Sequence, residues 1–175
     1  MKPIVLYRSK YGSTKNYAEW IAEELSCTAQ DAKGLDTDIL KDYDTIIYGG
    51  GLYAEIIAGV SLITKNIDKL SEKKLIVFTT GVTPTDCREY YDDIVFEKNF
   101  RGDTKDKVKV FNFPGKMIIN ELSLVHKTAL KTLKGIMSKK ENPSDMEKML
   151  INLCDLDADL SDRTLISELV EYAKA

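Results

Sequence analysis

Residues 4–21 read Ile4-Val5-Leu6-Tyr7-Arg8-Ser9-Lys10-Tyr11-Gly12-Ser13-Thr14-Lys15-Asn16-Tyr17-Ala18-Glu19-Trp20-Ile21, and they are the most informative part of the sequence. Its apolar start, from Ile4 to Tyr7, predicts a short buried strand. A turn rich in hydroxyl groups follows, and apolar residues then recur at helical spacing from Tyr17 onward. A strand that turns directly into a helix leaves several backbone N–H groups free at the positive end of the helix dipole. The turn therefore predicts a binding site for an anion such as phosphate.

The side chains of this turn are those that phosphate binding requires. Ser9, Ser13 and Thr14 each carry a hydroxyl donor, and Gly12 lets the backbone approach an anion closely. An ordinary helix cap needs only one such hydroxyl, so three around a glycine favour a ligand. A capped helix start without a ligand is the alternative interpretation. The candidate binding residues in the turn are Ser9, Lys10, Tyr11, Gly12, Ser13 and Thr14.

The same stretch resembles the signature of the flavodoxin family. The matching residues, in order, are Val5-Leu6, Tyr7, Ser9, Gly12, Thr14, Ala18 and Ile21. The resemblance implies that the turn wraps the phosphate of flavin mononucleotide (FMN). It also implies electron transfer through the bound flavin, in an electron carrier or a small oxidoreductase. No residue then has to act as a general acid or base, because the flavin itself carries the electrons.

The rest of the chain alternates short apolar runs with helical segments. Strands are predicted at 4–7, 28–32, 44–48, 74–80 and 107–113, with the third run stopped by the glycines at 49–51. This alternation predicts an α/β fold with helices on both faces of a parallel sheet. Five strands connected this way fit the flavodoxin-like, doubly wound order 2-1-3-4-5. We expect residues 1–175 to form a single domain, with an extended helical segment at 116–157 near the last strand.

Ligands of such sheets bind at the carboxyl ends of the strands, where the winding reverses. The turn should therefore meet the loops at 49–59 and 80–87. In proteins with this signature these loops sandwich the flavin ring, and a peptide flip in the glycine-rich loop tunes its redox states. Tyr53 is the residue we expect to stack on the ring. The candidate flavin contacts in these loops are Gly50, Gly51, Leu52, Tyr53, Ala54, Thr80, Gly81 and Val82.

The composition of the chain excludes several classes of function. The 175-residue chain has a net charge of −3 and no run of apolar residues long enough to span a membrane. An acidic chain argues against nucleic-acid binding, and no P-loop sequence is present. The start has no signal-peptide pattern, and the three cysteines are widely separated, so we expect a cytoplasmic protein without a cysteine-based metal site. The single histidine, His126, is expected to be solvated or to lie at an interface.

One segment, residues 116–140, departs from the acidic character of the chain. It contains six lysines and one glutamate. Its apolar residues form one helical stripe, made of Ile118, Leu122, Val125, Ala129, Leu133 and Ile136. One interpretation is the last crossover helix, with this stripe packed on the sheet. The other is an interaction surface, for peripheral contact with a membrane of anionic lipid or for an acidic partner.

The segment from Phe113 to Lys140 also resembles the insertion of the menaquinone-dependent protoporphyrinogen dehydrogenases. These are flavodoxin-like enzymes, and their phosphate turn is similar to Ser9–Thr14. This second resemblance implies an alternative function, a flavin-dependent oxidoreductase acting on a quinone or on protoporphyrinogen. Under the first resemblance the partner is a redox protein or a small-molecule electron acceptor. The oligomeric state is left open by the sequence.

Overall fold

The computed structural model describes residues 1–102 and 104–175. The strands are β1 (Pro3–Arg8), β2 (Thr28–Asp31), β3 (Thr45–Tyr53), β4 (Ile56–Ile57), β5 (Lys74–Gly81), β6 (Val108–Pro114), β7 (Lys116–Met117) and β8 (Ala158–Asp159). The α-helices are α1 (Ser13–Glu24), α2 (Ser61–Thr64), α3 (Phe96–Asn99), α4 (Thr104–Lys107), α5 (Leu124–Met137), α6 (Asp145–Leu153) and α7 (Ser167–Lys174). Short 3-10 helices span Thr37–Asp42, Ile119–Glu121 and Arg163–Ile166, and a π-helix spans Glu89–Val95.

The main sheet confirms the predicted architecture. Its five parallel strands lie in the order β2-β1-β3-β5-β6, which is the predicted order 2-1-3-4-5. β4 adds a short antiparallel pairing to β3, and β7 pairs with β8 in a separate two-stranded sheet. Because the main strands are parallel, their carboxyl ends all lie at one edge of the sheet.

Helices cover the main sheet on both faces, so the fold is doubly wound. On one face α1 and α7 pack against the sheet, with Tyr17, Ile21 and Leu169 fully buried against Phe78 and its neighbours. On the other face the segments between β3 and β6 supply a second core, which contains Ile63 and other buried apolar residues. Both faces of the central strands are therefore apolar, as expected for a parallel sheet buried on both sides.

The predicted end of the third strand at residue 48 is wrong. β3 continues through the glycines to Tyr53, and Gly49 pairs with Tyr7 on one side and with Phe78 on the other. A Cβ atom on Gly49 would lie 2.1 Å from Cζ of Phe78, and one on Gly50 would lie 2.5 Å from Cγ2 of Ile57. The glycines therefore belong to the strand because neighbouring side chains fill the space that their own would need.

The connection after β3 is a hairpin, not the longer loop predicted at 49–59. Tyr53 pairs with Ile56, so only Ala54 and Glu55 form the turn between β3 and β4. Their φ angles are +49° and +65°. Two positive φ angles are typical of the primed turn that suits the twist of a two-residue hairpin. Such angles are unfavourable for residues with a Cβ, so this turn is a locally strained part of the backbone.

The crossover-helix interpretation of residues 116–140 is also wrong. The helix begins only at Leu124, so Ile118 and Leu122 of the predicted stripe lie outside it. Val125 is 74% exposed and Ile136 is 60% exposed, so neither side chain packs on the sheet. The C-terminal helix α7 already covers that face. None of the described helices combines the length and hydropathy required to span a bilayer.

The packing around Gly49 predicts a specific loss of stability. We expect Gly49→Ala to lower the free energy of unfolding by about 1–3 kcal/mol or more, because the new methyl group overlaps the Phe78 ring. Gly135→Ala is the matched control, since Gly135 lies in α5 with no atom within 4 Å of the new Cβ. We expect this control to gain about 0.5–1 kcal/mol from its higher helix propensity. Urea denaturation measures both changes, and equal stabilities of the two variants would contradict this account of the packing.

Candidate functional site

The predicted phosphate turn lies where β1 leads into α1. Gly12 is the N-cap residue of α1, has a φ of +99°, and provides no side chain to cap the helix. The first intrahelical bond runs from the Asn16 N–H to the Gly12 carbonyl at 3.0 Å. Among the described residues, no side chain accepts a hydrogen bond from the N–H groups of the first turn of α1, and this turn contains no acidic residue. These N–H groups, which follow Gly12, therefore lack the side-chain acceptor that most helix starts have.

The hydroxyl groups of the turn surround this helix start. Ser9 Oγ accepts a hydrogen bond from the Gly12 N–H at 3.1 Å. Ser13 Oγ accepts one from the Lys116 N–H at 3.0 Å. Because both hydroxyls act as acceptors in these bonds, both keep their own hydrogen for donation. The set of donors, backbone N–H groups and serine hydroxyls at a positive helix end, fits a phosphate group.

The three predicted regions meet at the carboxyl edge of the sheet. The hydroxyls of Thr14 and Thr80 form a buried hydrogen bond of 2.7 Å between the turn and the end of β5. Leu52, near the end of β3, packs over Gly81, where an added Cβ would lie 3.3 Å from its Cδ1. The expected convergence of the turn with the ends of β3 and β5 is thus present in the structure.

The candidate residues differ in how they are placed at this edge. Gly50 and Gly51 are buried within β3 and pair with its neighbouring strands. A peptide flip at either glycine would break this strand pairing. A flip is easier in the turn after β3, where Ala54 and Glu55 have positive φ angles. Lys10 and Ala54 are exposed at the edge, whereas Tyr11, Gly12, Leu52, Tyr53, Gly81 and Val82 are half-buried.

After β6 the chain crosses this edge of the main sheet. We call this segment, residues 115–126, the arm. The Gly115 N–H donates to the Gly81 carbonyl at 2.7 Å, and the Lys116 N–H reaches Ser13. Farther along, Ser123 approaches the hydroxyl of Tyr11. The arm therefore lies over both the turn and the end of β5. The sequence did not predict that these residues lie at the candidate site, since no local motif indicates that they contact a turn about a hundred positions earlier.

An aromatic cluster joins the arm to the predicted ring-binding residues. The ring centroids of Tyr11, Tyr53 and His126 are 5.1 to 6.2 Å apart. Tyr11 Oη lies 2.8 Å from Nδ1 of His126, within hydrogen-bond distance. Burial raises the pKa of Tyr53 to about 12, with a smaller contribution from Tyr11. His126 is half-buried in this cluster, and not simply solvated, which corrects one of the two expectations for it.

Lys10 places a positive charge beside the cluster. Its Nζ lies 5.5 Å from the centroid of the Tyr11 ring and 3.4 Å from Oγ of Ser123. The pKa of His126 is lowered by desolvation first and by the positive charge of Lys10 second. For Tyr11, burial raises the pKa, but hydrogen bonds with Ser123 and the charge of Lys10 outweigh burial and lower it. His126 is consequently neutral near pH 7 and accepts or donates at Nδ1 according to its tautomer.

Elsewhere the structure shows a cleft of about 350 Å³, beside the ends of β1 and β2, lined by Arg8, Lys33, Tyr48, Lys65 and their neighbours. It contains none of the predicted site residues. Among residues 1–102 and 104–175, no group of three or more His, Cys, Asp or Glu side chains is arranged to hold a metal ion. The chemistry of the turn and not the volume of this cleft therefore identifies the candidate site.

The chain belongs to the flavodoxin domain family. The family model described as "Flavodoxin domain" matches residues 4–146, which is most of the chain and includes the turn, β3, β5 and the arm. An uncharacterized protein of Methanocaldococcus jannaschii is 31% identical over 110 residues, which cover 61% of this chain and 68% of that protein.

The chain is also similar to solved structures. A flavodoxin, WrbA-like protein from Agrobacterium tumefaciens is 16% identical, with 98% of each chain covered and a TM-score of 0.48. Oxidised Flavodoxin 2 from Bacillus cereus is also 16% identical, with 88% of this chain and 95% of that chain covered and a TM-score of 0.44. Membership in the family rests on the sequence match, and the strand order agrees with it.

The pKa of His126 tests the geometry of the aromatic cluster. Because His126 is the single histidine, its imidazole NMR signals titrate alone, and we expect a pKa below the ordinary 6.5. The stability that neutral His126 contributes is then fully present above pH 6.5 and is lost as the pH falls through the lowered pKa. Lys10→Gln should raise the pKa toward 6.5, because it removes a cation that opposes protonation.

Lys15→Gln is the matched control for this titration, since Lys15 lies in the same region but pairs with Glu19. We expect it to leave the pKa of His126 unchanged. A pKa at or above 6.5 in the unaltered protein would show that His126 is not held in the cluster. Equal shifts in the two lysine variants would show that Lys10 has no specific effect.

Proposed function

We propose that this protein binds FMN at the carboxyl edge of the sheet and transfers electrons through it. The observation that carries the proposal is the uncapped start of α1, surrounded by serine hydroxyls that keep free hydrogens. Because the chain belongs to the flavodoxin domain family, we expect the bound phosphate to be that of a flavin nucleotide. The ends of β3 and β5, which approach the turn through Tyr53 and Thr80, are the natural place for the rest of the cofactor.

Distinct parts of the site would hold distinct parts of the cofactor. The phosphate is assigned to the N–H groups at the start of α1 and to the hydroxyls of Ser9 and Ser13. The flavin ring is assigned to the neighbourhood of Leu52, Tyr53 and the segment 80–82, as the family resemblance implies. When bound, flavin supplies one- and two-electron chemistry, and the protein orients it and tunes it through nearby groups.

The charge of the chain bears on the potential of such a cofactor. The chain has a net charge of −3, and residues 116–140 contain six lysines and one glutamate. The cations beside the site, Lys10 and Lys116, favour an additional negative charge on the reduced flavin, which raises its reduction potential. The partners that we propose are a redox partner protein or a small-molecule electron acceptor.

The visible spectrum of the purified protein tests the proposal directly. We expect flavin absorbance, or quenching of the fluorescence of FMN added to the flavin-free protein. Chromatography of the released cofactor then separates FMN from riboflavin and from flavin adenine dinucleotide. A colourless protein that neither quenches nor retains added FMN would refute the proposed function.

Removing one hydroxyl of the turn should weaken FMN binding measurably. We expect Ser9→Ala to raise the FMN dissociation constant about 10- to 150-fold, since a hydrogen bond to a charged group contributes about 1.5–3 kcal/mol. Ser138→Ala is the matched control, because Ser138 is exposed at the end of α5. Fluorescence titration gives both constants. An unchanged FMN affinity in Ser9→Ala would mean that the phosphate lies elsewhere.

A further inference from the structure

The side chain of Lys116 lies across the phosphate turn. Its backbone is held there by two contacts, the N–H bond to Ser13 Oγ at 3.0 Å and the pairing with Asp159 in the β7–β8 sheet. A Cβ atom on Gly12 would lie 3.8 Å from Cε and 4.0 Å from Nζ of Lys116. The ammonium group therefore sits beside the N-cap residue of α1, and only 21% of this side chain is exposed.

A cation at this position is electrostatically unfavourable unless an anion accompanies it. The start of a helix carries about half of a positive elementary charge, which repels a nearby ammonium group. The first turn of α1 offers no acidic residue, and Lys10 adds positive charge in the same region, whereas Lys15 is paired with Glu19. The ion pair from Lys116 Nζ to Glu121 Oε2, at 2.9 Å, compensates in part.

Glu121 is a weak counterion for so much positive charge. Its side chain is 51% exposed, so solvent screens the ion pair, and exposed pairs contribute little to stability. A dianionic phosphate at the helix start would satisfy the N–H groups, the serine hydroxyls and the ammonium group together. Lysine suits this role because its ammonium is a compact, mobile charge on a flexible stem.

We infer that Lys116 is a cofactor-binding residue whose ammonium group moves from Glu121 to the phosphate of FMN. This inference rests on the proposed function and adds a residue from outside the signature. Lys116 makes the site select a phosphorylated flavin over riboflavin, because its contribution is an attraction to phosphate charge. Lys116 also connects the arm to the cofactor, so FMN binding stabilises residues 115–126 in their position over the turn.

The test compares two ligands that differ only in the phosphate. Flavin-free, full-length protein is titrated with FMN and with riboflavin by fluorescence quenching, in the unaltered chain and in Lys116→Met. We expect the dissociation constant for FMN to rise about 10- to 150-fold in the variant, as for loss of a charge-assisted hydrogen bond. The constant for riboflavin should stay the same, which also shows that the variant is folded.

Three further variants sharpen the comparison. Lys116→Arg keeps the charge and should restore most of the preference for FMN. Glu121→Gln releases Lys116 from its counterion and should tighten FMN about two- to fivefold, the range of an exposed ion pair. Lys131→Met is the matched control from the same segment, since Lys131 is exposed on α5, beyond the arm. It should leave both constants unchanged.

Each outcome bears on one of the two proposals. Equal losses of FMN and riboflavin in Lys116→Met would show that Lys116 only supports the structure, and unchanged FMN binding would show that it does not meet the phosphate. Weaker FMN binding in Glu121→Gln would likewise overturn the inference. If the unaltered protein binds neither flavin, the proposed function itself fails, and the inference fails with it.

Discussion

Every feature of the candidate site depends on the close packing around β3. Gly49 has no side chain because the Phe78 ring fills that space, and the packing of Ile57 imposes the same restriction on Gly50. β3 can therefore pair with β1 as far as Gly50 on one side and with β5 as far as Gly51 on the other. This pairing places the Ser9–Thr14 turn next to the end of β5 and allows the buried hydrogen bond between Thr14 and Thr80.

The arm gives the site a character that the sheet alone does not supply. After β6 the chain turns back across the carboxyl edge, through the contacts of Gly115 with Gly81 and of Lys116 with Ser13. It then adds His126 to the aromatic pair formed by Tyr11 and Tyr53. The arm thus brings a cation to the phosphate turn and an imidazole to the predicted ring side, and both groups can adjust how the site receives a charged, aromatic ligand.

Two sequence-based expectations failed because tertiary packing overrode local preference. Glycine weakens a strand, so three in succession predicted its end, yet β3 continues because its neighbours require residues without side chains there. The apolar stripe of residues 116–140 predicted a helix on the sheet. That face is already covered by α7, so Val125 and Ile136 remain exposed on α5. In both cases the local pattern is present in the sequence, but the segments that determine how it packs lie elsewhere in the chain.

From the sequence alone we could predict the turn at Ser9–Thr14, the alternation of strands and helices, and hence the strand order and the edge of the sheet that carries the candidate site. These features follow from short-range patterns, the spacing of apolar residues and the chemistry of a glycine-containing turn. Tertiary contacts alone place Lys116 and His126 at the candidate site and keep Gly50 and Gly51 inside a strand. Such contacts join segments that are separate in the sequence, so their formation depends on how the whole core packs and not on any local periodicity.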